Sequence, residues 1–309
     1  MTVKQGVVAL DVGGTFMKGA IVDREGVIRH ELRAPTPQRV PVAEALDDVA
    51  GHLRSMLVAA HALGLDVAGV CVAVPGIIDE AGGTVRYAAN LGWREVPVSH
   101  ELSSRLDRRV LITHDVRAGG LAESRVGAAA GVRDSLFVAV GTGVSAALIV
   151  DGSPVLAGGM AGEIGHVKVR GQESSCVCGQ HGCLETVASA LAIARAYADL
   201  SGTHVAGAGD VAARVRAGDP IAAAVWGCAI EALGDVLATC AAVLGSQVVV
   251  VGGGLSRAGP LLLEPLTARM ASSMGARPAP RVVTAALGDA SGCLGAAMLA
   301  WPSVDPVVS

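Results

Sequence analysis

The chain has 309 residues, half of them apolar and only 2% aromatic, enough for two ordinary domains or one large one around an aliphatic core rich in Ala and Gly. A formal net charge of −4 argues against a nucleic-acid or anionic-membrane surface. Seven cysteines, with neither an apolar leader nor a cleavage site at the N-terminus, point to a reducing, cytoplasmic setting and not to a disulfide framework.

In chain order, VVALDVGG (7–14), 19–23 and 27–35 predict three short strands separated by turn residues. Apolar residues at helical spacing over 41–64 predict a helix that stops at Gly64. GVCVAVPG (69–76) reads as a buried strand closed by Pro-Gly, and VLITHD (110–115) as another, with a helix from Val116 to Gly131. The runs 135–143 and 144–152 predict a hairpin around a glycine turn. The most apolar stretch, 220–251, is broken by Glu231, Asp235 and Gln247. It reads as a buried helix and strand that fall short of a membrane span. The strand closes at Gly252-Gly253-Gly254, and a strand at 281–287 and a helix at 290–301 finish the chain. A β-β-β-α-β-α order near the start, with a related order after residue 134, predicts an α/β protein of two similar halves around a central cleft. Cys71, Cys228, Cys240 and Cys293 stand singly in apolar surroundings and read as core thiols.

Three strands run straight into glycine loops: Asp11-Val12-Gly13-Gly14-Thr15, Gly141-Thr142-Gly143 and Gly252-Gly253-Gly254. Glycine lets consecutive amides approach phosphate oxygens without a Cβ in the way. Asp11 can hold Mg²⁺, and Thr15 and Thr142 add hydroxyl donors. Any one such loop is also explained as a tight turn in a chain with 41 glycines. None matches the Walker or the dinucleotide pattern.

Residues 166–183 gather Cys176, Cys178 and Cys183, with His166 and His181 both available as a fourth donor. Three thiolates and one imidazole make a closed tetrahedral zinc site of the structural type. A redox pair would need C-x-x-C spacing, and the neighbours Gln172, Glu173, Ser174 and Ser175 lack the basic and aromatic residues of a nucleic-acid knuckle.

Taken together these motifs resemble the ROK family of sugar kinases and sugar-responsive repressors. The resemblance spans nearly the whole chain. It rests on the loop at 11–15, Ala89-Asn90-Leu91-Gly92-Trp93, His114-Asp115, Gly141-Thr142-Gly143, Gly162-Glu163-Ile164-Gly165-His166, the C-x-C-G-x-x-G-C-x-E run at 176–185 and the late glycine loop. It implies the duplicated ribonuclease-H-like (actin/hexokinase-like ATPase) fold, with two lobes closing on ATP and sugar. Residues 1–116 and the last helix, about 290–309, would form the small lobe; 117–289, with the zinc-binding segment 166–183, would form the large one. It further implies His166 as the fourth zinc ligand, and ATP with Mg²⁺ held by Asp11, Gly13, Gly14, Thr15, Gly141, Thr142, Gly143, Gly253 and Gly254. Asn90, His114, Asp115, Glu163, His166, Glu185 and Gly76 would hold the sugar. Asp115 would be the general base for phosphorylation of a hexose 6-hydroxyl, although an Asp there also suits a helix N-cap. A homodimer is the family expectation.

Two departures bear on the substrate. The usual N-D-A-N reads His114-Asp115-Val116-Arg117, so an Asn that normally contacts a sugar hydroxyl is missing. Val144-Ser145-Ala146-Ala147 replace the usual glycines after Gly143. Glucose and N-acetylglucosamine lead as substrates, with N-acetylmannosamine and mannose behind. The alternatives are a sugar-sensing regulator, which needs an N-terminal helix-turn-helix for which a loop at residue 11 leaves no room, and a sugar-binding protein without chemistry.

Overall fold

The computed structural model describes residues 4–37 and 40–301. They divide into two compact units: 4–37, 40–122, 156–160 and 290–301 form one, and 123–155 and 161–289 the other.

In the first unit, β1 (Lys4–Val12), β2 (Phe16–Asp23) and β3 (Ile28–Pro35) form an antiparallel meander. Helix α1 (Val42–Ala62) follows, then β4 (Leu65–Val74) parallel to β1. The buried positions of α1, Ala45, Leu46, Val49, Ala50, Leu53, Met56 and Ala60, recur every three or four residues, so one stripe faces the sheet. A small sheet of β5 (Ile77–Asp79), β6 (Thr84–Ala88) and β7 (Trp93–Val96) comes next. Helix α2 (Val98–Leu106), β8 (Val110–His114) parallel to β4, and α3 (Asp115–Val126) follow. The main sheet order is β3-β2-β1-β4-β8.

The second unit repeats that plan. Strands β9 (Ser135–Val140), β10 (Val144–Val150) and β11 (Ser153–Pro154) are antiparallel. After α4 (Glu185–Ala188), α5 (Ala190–Ser201), α6 (Ala208–Arg216) and α7 (Pro220–Leu244) comes β12 (Val248–Gly252), parallel to β9. Helix α8 (Pro260–Met274) leads to β13 (Arg281–Thr284), parallel to β12. The order β11-β10-β9-β12-β13 is again third, second, first, fourth, fifth, which is the duplication the sequence predicts. The final helix α9 (Ser291–Ala300) packs on β1, β2 and β4 of the first unit. It lies so close to α3 that a Cβ on Gly295 would fall 1.8 Å from the Ala118 carbonyl oxygen, so only glycine fits there.

Three expectations are corrected. Helix α7 is long and apolar enough to cross a membrane by length and composition, which the sequence reading denied it. Its buried residues, from Ala222 to Ala241, belong to the core formed with α5, α6 and α8, so its apolarity is answered by packing. Of the four single cysteines, Cys71 and Cys293 are buried, but Cys240 is half-buried and Cys228 exposed, because α7 leaves part of its surface outside that core. Asp115 opens α3 instead of ending the strand before it.

Candidate active site and metal centre

In the first unit, Asp11 pairs with Lys18 across the β1–β2 hairpin, and its Oδ1 is buried. The turn beyond it is braced from outside. Gly13 N–H donates to Phe16 O at 3.2 Å, Thr36 N–H to Thr15 O at 2.9 Å, and Thr36 Oγ1 to Gly13 O at 2.6 Å. Gly14 and Thr15 lie exposed at the tip of the turn. The site of a Cβ on Gly14 lies 4.0 Å from Asn90 Nδ2, so the fold brings Asn90 to this loop. Gly76 has a φ of +109°, and a Cβ there would fall 2.1 Å from Tyr87 O, so strand packing already demands its glycine.

At the end of β8, His114 is buried, and its Nδ1 accepts the Arg117 backbone N–H at 3.3 Å. That bond puts the proton of the neutral ring on Nε2. Burial holds the imidazole below its ordinary value, against the pull of Asp115, so it is uncharged near neutral pH. Asp115 Oδ1 lies 3.4 Å from that Nδ1 and accepts from Val116 N–H at 2.7 Å; the side chain is 26% exposed.

In the second unit, Gly141-Thr142-Gly143 is the β9–β10 turn, closed by Gly141 N–H on Gly143 O at 2.9 Å. Ala190 N–H, at the start of α5, donates to Gly141 O at 2.8 Å. Gly253 follows β12 with a φ of +77°, and a Cβ on it would fall 2.4 Å from Val140 O. Both glycine loops of this unit therefore lie at the same end of its sheet. A Cβ on Gly143 would stand 3.1 Å from Glu185 Oε2, which sets this carboxylate against the turn.

The segment 166–183 draws its four donors together. The ligand atoms of His166, Cys176, Cys178 and Cys183 all lie within 4.8 Å of one another. Cys178 Sγ and Cys183 Sγ are 3.6 Å apart, as are Cys176 Sγ and His166 Nδ1. Zn–S and Zn–N bonds give tetrahedral edges of about 3.6–3.8 Å, so the donor set fits zinc. Burial pushes the Cys176 thiol up, and its Sγ donates to Glu185 Oε1 at 3.0 Å, a proton that metal binding must displace. His181 instead bonds Ser175 Oγ at 3.3 Å from an exposed position. The His166 ring lies between two carboxylates, with Glu163 Oε2 3.8 Å from Nε2 and Glu185 Oε1 3.6 Å from Nδ1. Glu163, His166 and Glu185 thus form one polar group.

Sequence reasoning missed Glu80. It lies just after β5 and binds Thr113, His114 and Arg117. Its only signal was the arginine at 117, a cation amid the small and apolar residues that follow Asp115.

The sequence model of the ROK family matches residues 7–302. A glucokinase of Halalkalibacterium halodurans is 34% identical over 275 residues, covering 84% of this chain and 83% of the relative. The N-acetylgalactosamine kinase AgaK of Shewanella sp. strain ANA-3 is 30% identical over 302 residues, covering 94% and 95%. Among solved structures, a ROK family glucokinase from Streptomyces griseus in complex with glucose and AMPPNP matches with a TM-score of 0.80 at 28% identity, covering 96% of this chain and 99% of that one.

Proposed function

The chain belongs to the ROK family and has the duplicated actin/hexokinase-like ATPase fold, and on that premise we propose that it is an ATP-dependent hexose kinase acting on the 6-hydroxyl. The observation that carries this reading is Asp115: a part-exposed carboxylate at the mouth of a buried strand, beside a histidine kept neutral.

In the proposed reaction the sugar oxygen bonds to the γ-phosphorus of ATP, the bridge to the β-phosphate breaks and ADP leaves. Asp115 takes the hydroxyl proton. Positioning and charge neutralisation dominate such transfers. The amides around Gly13–Thr15, Gly141–Gly143 and Gly253–Gly254 would hold phosphate oxygens, with Thr15 and Thr142 as hydroxyl donors. Asp11 would hold Mg²⁺, which when bound offsets phosphate charge. Glu163 and Glu185 would accept charge-assisted hydrogen bonds from vicinal hydroxyls, and His166 Nε2–H would donate. Asn90, Gly76 and His114 complete the proposed sugar site.

His166, Cys176, Cys178 and Cys183 would hold a structural zinc, which when bound orients the His166 ring and its neighbours. Glucose and N-acetylglucosamine lead as substrates, followed by N-acetylmannosamine and mannose. A cytoplasmic homodimer that binds neither nucleic acid nor membrane is the assembly we infer from the family likeness. ADP release measured across glucose, N-acetylglucosamine, N-acetylmannosamine, mannose and fructose tests the reading. One sugar should drive turnover; none doing so would make this a sugar-binding protein. Metal analysis should find about one zinc per chain.

A further inference from the structure

Five residues of the first unit meet in a buried ionic knot, of which the phosphoryl-transfer scheme uses only His114. Arg117, in the first turn of α3, is 1% exposed, a rare place for a charge without a partner. Its Nε donates to Glu80 Oε1 at 3.0 Å, its Nη2 lies 3.0 Å from the same oxygen, and its Nη1 donates to Gly159 O at 3.3 Å. Glu80 Oε1 also accepts from Thr113 Oγ1 at 3.1 Å and from the His114 backbone N–H at 3.2 Å. Gly159 is itself pressed on β5: its φ is +90°, and a Cβ would fall 2.2 Å from Ile78 O.

The knot ties four pieces of chain together: the residue after β5, the end of β8, the first turn of α3 and the turn at 157–159. Asp115 lies inside it. The peptide before Asp115 is held because His114 N–H bonds Glu80. The chain after it is held because Arg117 N–H bonds His114 Nδ1. Asp115 has little room to shift or tilt unless one of these bonds opens. Where the family pattern has an asparagine, Arg117 has its guanidinium turned inward, engaged by Glu80 and Gly159.

We propose that the Glu80–Arg117 pair is a positioning device for Asp115, fixing the angle at which its carboxylate meets the substrate hydroxyl, and that residue 117 sets turnover without contacting the sugar. The inference rests on Asp115 as the base. A misplacement of about 1 Å at a reacting group costs on the order of a hundredfold in rate.

The test is steady-state kinetics of R117K, E80Q and the double variant R117M/E80Q, well below their melting temperatures, beside wild type. R117K keeps the charge but loses the fork that reaches both Glu80 and Gly159. Its kcat should fall about tenfold while KM for sugar and ATP stays within about twofold, by the separation of turnover from ground-state binding. E80Q should lower kcat in the same way, and the double variant should lose no more than the worse single one, since both act through one contact. The double variant carries no unpaired buried charge and gives the answer if a single variant does not fold. Folded variants with lower melting temperatures but wild-type kcat would overturn the proposal, and so would a raised sugar KM at unchanged kcat. In both cases an active wild type leaves the kinase reading standing. A wild type without turnover overturns that reading and this inference with it.

Discussion

The stretch from His166 to Cys183 and the strand end from Thr113 to Arg117 each hold side chains of the proposed site, with different materials. The first has little regular structure. Two isolated bridges, Lys168 with Cys183 and Ser175 with His181, are its only ladder pairs among the described residues, and Val177 is 88% exposed. Its four candidate donors converge within 4.8 Å of one another, and the proposed zinc would be what orders it. The second lies against a buried sheet and carries its own counter-charge in Glu80 and Arg117. The first scaffold would take a cation from solution; the second carries its cation covalently, as Arg117. Metal removal should loosen the first and leave the second intact.

The largest effect belongs to the second scaffold. D115N should cut kcat by about 10²–10⁴-fold, the range for loss of a general base, with zinc content and melting temperature unchanged. Next comes the first scaffold. Chelation, or C178S, should remove the zinc and weaken sugar binding on the order of a hundredfold, the effect of losing charged hydrogen bonds to hydroxyls. Amide exchange should then accelerate over residues 166–185 while 110–117 stay protected; equal loosening of both would break the contrast. H166A should lose the metal and H181A keep it, as measured by metal content. A smaller effect follows from E163Q, which should raise the sugar KM about tenfold with kcat largely retained.

The smallest effect lies outside both scaffolds. Asp219 caps α7 through the N–H groups of Ile221 and Ala222 and accepts the Tyr197 hydroxyl at 2.7 Å. The Tyr197 bond is the main reason its carboxyl titrates below the ordinary 3.8. A depressed carboxylate stabilises the fold fully above its unfolded value and loses that contribution as pH falls through the lower folded one. D219N should therefore flatten the acid limb of stability below about pH 4, measured by denaturant unfolding at stepped pH.

The strand-to-glycine junctions were legible because a buried strand reads as an unbroken apolar run and its loop as glycine. The repeated sheet order followed from the two similar element series. The small β5–β7 sheet was not legible, since strands of three to five residues such as Trp93–Val96 carry too little alternation. The exposure of Cys228 was hidden because α7 is apolar on nearly every side, so its outward face has no polar mark. Asp115 was misplaced by one element because an aspartate suits a strand end and a helix start equally. The metal donors were visible as residue types. That Glu163, His166 and Glu185 gather was expected from the family resemblance; that the His166 ring stands between the two carboxylates, 22 positions apart in the chain, needed the fold. Glu80 and Arg117, 37 positions apart, gave no local pattern at all.

The most direct test of the central claim is phosphorus NMR of the products formed from ATP and glucose or N-acetylglucosamine, by wild type and by D115N shown to bind the same sugar. The account predicts a hexose 6-phosphate formed one for one with ADP by wild type, and none by D115N on the same timescale. A 6-phosphate formed by D115N at the wild-type rate, or no phosphorylated sugar from wild type, would contradict it.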